Sequence, residues 1–314
     1  MTTRRDFLAT AFVATSALTL SLPARAQSAA RTGKIKAGDG TELFVKDTGG
    51  NGRAVVMTHA WPLNADVWDF QAAALSQAGF RVVTYDRRGF GRSSPTASGY
   101  GPGVYQAYDF DTFADDLAAV IEQTGLRDAT LVGYSMGGGE VVRYFSRHDG
   151  RNVVKAGIVA GTAWLLAKTG SNPDGVDGAV FDGIKQGISG DRKVYLGGLL
   201  RDVFLDAKQP ATNPVTPEMV DAALALSMQA SVAATMACVD AFSKTDFRTE
   251  LASVRVPTLV LHGTADMAVP FAMAKATAAG INQSKMVAYQ GSSHGLVLTE
   301  RDRVARDLKS FVAS

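Results

Sequence analysis

The stretch that most constrains the fold is residues 131–139, with the sequence LVGYSMGGG. An apolar run ends at Gly133, and a run compatible with a helix begins after Ser135. This G-x-S-x-G pattern predicts a strand, a sharp turn and a helix, with glycines where the turn leaves no room for a Cβ atom. Such a turn exposes Ser135 Oγ and places the Met136 amide at a helix N-terminus, where free N–H groups and the helix dipole favour an oxyanion. The pentapeptide alone also fits a Gly-rich turn without chemistry.

Length and composition restrict the class of protein. The chain has 314 residues, which suits one large domain or one domain with an insertion. Its 46% hydrophobic and 20% charged residues are typical of a soluble globular protein, and a formal charge of +2 gives no sign of nucleic-acid binding. The single cysteine, Cys238, excludes an internal disulfide bond, and four histidines without metal-ligand spacing argue against a zinc site. We therefore expect no zinc or Cys-based metal cofactor.

Residues 1–26 have the features of a signal peptide. Arg4 and Arg5 precede a stretch of apolar and small residues that runs to Leu22, and an Ala-Arg-Ala site ends at Ala26. This order predicts a cleavable signal peptide, and the paired arginines indicate the twin-arginine export route. An uncleaved membrane anchor is the alternative, which the serine and threonine interruptions disfavour. We expect a periplasmic or secreted protein without stable membrane insertion after the signal peptide is removed.

Strand and helix patterns alternate through residues 27–160 and again through residues 247–314. Asp39 and Gly40 are a turn signal that predicts a hairpin early in the first part. Continuous apolar runs predict strands that are covered on both faces, and Asp111 is expected to cap a helix. The alternation predicts an α/β fold with a mostly parallel sheet and helices on both faces.

The alternation stops in residues 161–246, where helical patterns dominate. The clearest helix is predicted from Thr216 to about Lys244, since Thr216 suits a cap and Pro217 and Glu218 suit a first turn. We interpret residues 161–246 as a helical cap inserted over the C-terminal edge of the sheet. Its methionines are interpreted as core residues, with lining of a substrate pocket as the second interpretation.

A serine nucleophile needs a base within hydrogen-bond reach, and the base needs an orienting acid. His294 follows the last predicted strand, at the sheet edge where ligands gather in such folds. Asp266 follows the preceding strand, and its alternative role is to cap the helix near Pro270. Because Ser135, Asp266 and His294 each lie just after a strand, we predict that they form a catalytic triad.

Two further segments carry predictions about the site. The amide of Trp61, on the loop after the first core strand, and the amide of Met136 are the candidate oxyanion-hole donors. Each donor of this kind contributes about 10²–10³ in rate. The basic run at residues 86–89 fits either an anion site or a structural turn paired with core carboxylates, and we favour the turn.

Four segments together resemble the α/β-hydrolase family of cofactor-free haloperoxidases and aryl esterases. They are HAWPL at residues 59–63, YDRRGFGRS at 85–93, DTFADDL at 111–117 and GYSMGGGEVVRY at 133–144. The resemblance implies a Ser-His-Asp carboxylesterase with a helical cap, with the triad in the chain order Ser135, Asp266, His294. It implies Trp61 and Met136 as the oxyanion amides. It also implies perhydrolysis, a side activity in which hydrogen peroxide intercepts the acyl-enzyme without haem or metal.

We therefore expect an enzyme that hydrolyses small to medium acyl or aryl esters through an acyl-enzyme. One alternative is C–C bond hydrolysis or lactonase chemistry on the same triad, and another is a ligand-binding homologue without catalysis. A serine at position 135 disfavours dehalogenase and epoxide-hydrolase chemistry, which use a carboxylate nucleophile. The expected partner is a small-molecule ester, and the sequence leaves both a monomer and a homo-oligomer open.

Overall fold

A central sheet organises the structure, a computed structural model that describes residues 31–96, 107–206 and 214–314. The predicted signal peptide lies outside these residues. Within them, eight strands form one sheet in the order β1-β2-β4-β3-β5-β6-β7-β8. The strands are β1 (Arg31–Lys36), β2 (Glu42–Asp47), β3 (Ala54–Thr58), β4 (Arg81–Tyr85), β5 (Ala129–Tyr134), β6 (Val153–Val159), β7 (Thr258–Gly263) and β8 (Ser284–Tyr289).

The strand pairing confirms the predicted mostly parallel sheet. β1 pairs with β2, and β2 with β4, in antiparallel register, while the other neighbouring strands are parallel. The first two strands form the predicted hairpin, and its turn residue Gly40 has a φ of 86°, which glycine adopts without strain. Because the remaining strands are parallel, the loops after β3, β5, β7 and β8 all emerge at the same edge of the sheet.

Helices cover both faces of the sheet. They are α1 (Asp69–Gln77), α2 (Phe110–Gln123), α3 (Met136–His148), α4 (Gly178–Ser189), α5 (Arg192–Leu199), α6 (Pro217–Ser227), α7 (Val232–Lys244), α8 (Phe271–Gly280), α9 (Leu296–Thr299) and α10 (Arg301–Ala313). Strand β3 shows how the faces divide: Val56 packs with α2 and α3, whereas Val55 and Met57 pack with α1 and α10. The alternation follows from the two-residue period of side chains on a strand.

The cap of helix α2 differs from the prediction. Asp109, and not Asp111, is the N-cap residue, and its Oδ1 accepts a hydrogen bond from the Thr112 amide at 2.8 Å. Asp111 lies in the first turn, where its carboxylate pairs instead with Arg143 of α3. The two aspartates stand two residues apart, so both suit the start of a helix.

Helices α4 to α7 lie between β6 and β7, and a π-helical turn, Leu200–Phe204, extends α5. The helix predicted from Thr216 to about Lys244 is wrong as one element, because α6 ends at Ser227 and α7 begins at Val232. Ser231 caps α7, and its own amide donates to the carbonyl oxygen of Gly89 at 2.7 Å. A contact with the core therefore fixes the break.

In the described part of the chain, no single helix has the length and apolar character needed to cross a membrane. Helices α6 and α7 pass that test only when taken together, and they are bent by 99° with respect to each other.

Candidate active site

The turn at Ser135 joins β5 to α3 and holds the serine in an uncommon backbone conformation. Ser135 has φ 55° and ψ −118°, and its amide donates to Val159 of the neighbouring strand at 2.8 Å. A Cβ atom on Gly133 would lie 2.1 Å from the carbonyl oxygen of Gly137, and one on Gly137 would lie 2.8 Å from Thr58 Cγ2. These close approaches give the physical reason for both glycines of the motif.

The structure brings the three predicted triad residues into one hydrogen-bonded chain. His294 Nε2 lies 2.8 Å from Ser135 Oγ, and His294 Nδ1 lies 2.8 Å from Asp266 Oδ2. All three residues are buried, with 2% to 7% of their surfaces exposed. The geometry is suited to transfer of the serine proton to Nε2 while the carboxylate orients the ring through Nδ1.

Asp266 is held by hydrogen bonds on both carboxylate oxygens. Its Oδ1 accepts from the amides of Ala268 and Val269 at 2.9 and 2.8 Å. Burial raises the pKa of this carboxyl group, but the imidazoles of His294 and His262 outweigh burial and hold the pKa well below its usual range. The charged form of Asp266, which an orienting acid needs, is therefore favoured.

The loop that carries His294 is fixed on several sides. Tyr134, which precedes the serine, donates from its hydroxyl to the carbonyl oxygen of His294 at 3.1 Å. The amide of Gly295 donates to the carbonyl oxygen of Phe204 at 2.6 Å, and the Phe204 ring stands edge-on to the imidazole with 4.8 Å between centroids. The π-helical turn thus packs against the histidine, a contact that the sequence did not indicate.

The two predicted oxyanion donors belong to residues at the cavity that Ser135 lines. The Met136 amide is the first of α3, and first-turn amides have no acceptor within their own helix. Trp61 is buried, and its indole N–H donates to the carbonyl oxygen of Thr235 at 3.0 Å, which ties the loop after β3 to α7. Both residues line the same cavity as Ser135 and His294.

The basic run after β4 is a structural turn, as predicted, because its arginines pair with buried carboxylates. Arg87 donates to Glu140 Oε2 at 2.6 Å, and both side chains are fully buried. Arg88 pairs with Asp116 at 2.6 Å. His59 also belongs to this structure: its Nε2 accepts the Arg87 amide at 3.0 Å. Burial, with the Arg87 charge, holds the pKa of His59 well below its usual range.

A largely apolar cavity of about 250 Å³ opens from the serine. Besides the site residues, it is lined mainly from the insertion between β6 and β7 and from the loop after Asp266, by Thr162, Leu166, Val176, Val180, Phe181, Ile184, Tyr195, Leu199, Val203, Phe204, Phe242, Met267, Ala268 and Val269. Met219, Met228 and Met236 do not line it. Among the described residues, no cluster of three or more His, Cys, Asp or Glu side chains is arranged to hold a metal ion.

Comparison with known proteins places the chain in a family. The family model for the alpha/beta hydrolase fold matches residues 53–300. The chain is 40% identical to the non-heme chloroperoxidase CPO-A1 of Kitasatospora aureofaciens, over 87% of this chain and 97% of that protein. It is 35% identical to the bifunctional esterase/perhydrolase DCH of Acinetobacter calcoaceticus, over 90% of this chain and 100% of that protein.

The chain is also similar to a solved structure. The bromoperoxidase from Bacillus anthracis matches with a TM-score of 0.81 and 35% identity, over 90% of this chain and 100% of that chain. The family model and this structure thus agree on the fold. The chain belongs to the alpha/beta hydrolase fold family.

Proposed function

We propose that this hydrolase acts on carboxylic esters through an acyl-enzyme formed on Ser135. The observation that carries the proposal is the hydrogen-bonded chain from Ser135 through His294 to Asp266, with 2.8 Å at each step. This chain lies at the wall of a cavity whose lining is mostly apolar. A small or medium acyl or aryl ester suits such a site, because its apolar part is desolvated while its carbonyl group meets the serine.

In the proposed reaction, Ser135 Oγ attacks the ester carbonyl as His294 Nε2 takes the hydroxyl proton. Asp266 stabilises the imidazolium, and the amides of Met136 and Trp61 stabilise the oxyanion. His294 then gives the proton to the leaving alcohol. Water attacks the acyl-enzyme with His294 again as base, and the products are a carboxylic acid and the free serine.

A perhydrolase side activity follows if hydrogen peroxide replaces water in the second half-reaction. Peroxide attack on the acyl-enzyme releases a peracid and the free serine, and no cofactor takes part. Similarity to a non-heme chloroperoxidase and to a bifunctional esterase/perhydrolase supports this addition. An assay with an acetate ester, hydrogen peroxide and a halide tests this side activity. The peracid oxidises the halide, and a dye reports the oxidised halide.

Two other functions use the same residues differently. C–C bond hydrolysis or lactone opening would run on the same triad, and a panel of diketones, lactones and aryl esters separates these activities by kcat/KM. A homologue that binds a ligand without catalysis would turn over none of the panel. The intact triad geometry favours an enzyme.

Replacement of the nucleophile tests the proposed function directly. Ser135→Ala should reduce kcat for p-nitrophenyl acetate by about 10⁴-fold or more, because the covalent route is lost. Ser146→Ala is a matched control, since Ser146 lies on the same helix and its hydroxyl contacts Glu250 rather than the cavity. Retention of turnover by Ser135→Ala, with Ser146→Ala active, would contradict the proposal.

We also propose that residues 161–246 act as a cap that closes the cavity. A separate proposal is that residues 1–26 direct export by the twin-arginine route. The export proposal depends on the paired arginines Arg4 and Arg5. Replacing both by lysine should retain the protein in the cytoplasmic fraction. A mature protein recovered from the periplasm with residues 1–26 intact would argue against cleavage.

A further inference from the structure

Two imidazoles share one oxygen of Asp266. Its Oδ2 lies 2.8 Å from His294 Nδ1 and 3.2 Å from His262 Nε2. His262 lies near the end of β7, four residues before Asp266, and is fully buried. The triad needs only one of these two contacts, so the second imidazole requires its own explanation.

The contacts of His262 identify which ring nitrogen carries the hydrogen. Nε2 faces two acceptors, Asp266 Oδ2 and the carbonyl oxygen of Val269 at 2.9 Å. A ring nitrogen between two acceptors can satisfy them only as an N–H donor. The other nitrogen, Nδ1, is buried without a hydrogen-bond partner in the described residues. All polar contacts of the ring are therefore directed at the acid loop.

We propose that His262 is a positioning residue. It fixes the Asp266 carboxylate and reduces the negative charge that this carboxylate presents to His294. Two amides, of Ala268 and Val269, donate to Oδ1, and His294 Nδ1 and the His262 Nε2–H group lie at Oδ2. These four donors around one carboxylate restrict the rotation of its plane. Because the His262 donor also binds Oδ2, less negative charge is available there to His294. The inference rests on the proposed ester-hydrolase function.

The shared oxygen has a consequence for the pH profile. Among the described residues, His262, Ser135 and Tyr134 contact Asp266 or His294, and Glu300 accepts from Ser292 on the loop that carries His294. Burial with the Asp266 charge holds the pKa of Tyr134 well above its usual range. Without the His262 donor, Oδ2 stabilises the imidazolium form of His294 more strongly. Protonation of His294 inactivates the base, so activity is then lost at a higher pH than in the unmodified enzyme.

Kinetics of three variants with p-nitrophenyl acetate test this role. His262→Phe keeps the ring shape and removes the donor, His262→Gln keeps an N–H group near the Nε2 position, and His262→Asn carries an N–H group too short to reach Oδ2. We expect His262→Phe to lower kcat about tenfold at pH 8, less than the loss of about 10⁴-fold that follows loss of triad-acid function. Its acid limb of kcat/KM should move up by about half a pH unit or more.

His262→Gln should keep the acid limb of the unmodified enzyme. A folded His262→Phe with an unmoved acid limb, or a His262→Gln that shifts as far as His262→Phe, would overturn the proposal. If His262→Phe does not fold, the acid limb of kcat/KM is compared between His262→Asn and His262→Gln instead. Acid limbs at the same pH in these two variants would contradict the proposal. Ser135→Ala measured alongside separates the two proposals, because its loss of turnover supports the ester-hydrolase function whatever the position of the limbs.

Discussion

Ser135, the proposed nucleophile, is held by its backbone in an uncommon conformation. A φ of 55° for a residue other than glycine costs about 1–3 kcal/mol, and such strain persists only where the surrounding structure enforces it. The enforcement comes from backbone packed on both sides, since Gly133 touches Gly137 and Gly137 touches Thr58. The serine hydroxyl gains exposure to the cavity while its backbone stays locked between β5 and α3.

The only cysteine in the sequence offers a test of burial at the scale of one residue. Cys238 of α7 is fully buried, and burial raises the pKa of its thiol to about 12. At pH 8 the thiolate fraction is then about 10⁻⁴, and iodoacetamide reacts with the thiolate. We expect no alkylation of the native protein and complete alkylation in denaturant, measured by intact mass. Stoichiometric labelling of the native protein would show that α7 is packed differently.

Among the structural elements, the loop after β4 and helix α3 are joined by a buried ion pair. Glu140 of α3 accepts hydrogen bonds from Arg87 at 2.6 Å and from Thr58 Oγ1 at 2.7 Å. Arg87 also donates to the carbonyl oxygen of His59 at 2.9 Å. The amide of Trp61, a candidate oxyanion donor, lies two residues beyond His59, so this pair links the loop that carries Trp61 to the helix that carries Met136.

Loss of one partner should therefore affect stability and catalysis together. Glu140→Gln leaves a buried arginine uncompensated, and we expect the free energy of unfolding to fall by about 3–5 kcal/mol. The same change in the exposed pair of Glu42 with Lys34 is the control, and we expect a much smaller loss there because water already solvates both charges. Urea unfolding measures both. Equal losses in the free energy of unfolding for the two substitutions would contradict the expectation that the buried pair stabilises the fold more than the exposed pair does.

Elements differ in how far the sequence predicted them. Strands β3 and β5 and the turn at Ser135 were predictable because apolar runs and glycine spacing are local signals. The break between α6 and α7 was not, since no glycine or proline marks it and Ser231 is fixed by a contact with Gly89. The contact of His262 with Asp266 was also not predicted. The available signal was a histidine near the end of the strand that precedes the predicted acid, four residues before it.

At the scale of the whole molecule, the sheet edge carries the proposed reacting groups, and the helical insertion supplies most of the cavity lining. Ser135, Asp266 and His294 come from loops after β5, β7 and β8. Most of the apolar lining comes from residues 161–246. The sequence predicted this division but not the individual lining residues, because they depend on how α4, α5 and α7 pack over the site.

We therefore predict that the size of the cavity limits the length of the acyl chain that the enzyme accepts. Phe181 of α4 lines the cavity and packs 6.2 Å from Phe242 between ring centroids. Because each newly buried methylene contributes about 0.8 kcal/mol, Phe181→Ala should raise the kcat/KM ratio of p-nitrophenyl hexanoate over acetate by about tenfold. Phe70→Ala is the control, since Phe70 is 38% exposed and lies outside the cavity lining. An unchanged ratio in Phe181→Ala would place the acyl group elsewhere.

The most direct test of the account is covalent labelling of the native enzyme with a fluorophosphonate, followed by intact and peptide mass spectrometry. We predict one adduct per chain, on Ser135, because among the described residues only this hydroxyl has an imidazole at 2.8 Å that is itself held by a carboxylate. His294→Ala should label far more slowly, and Ser135→Ala should not label. An unlabelled native enzyme, or an adduct on another residue, would contradict the account.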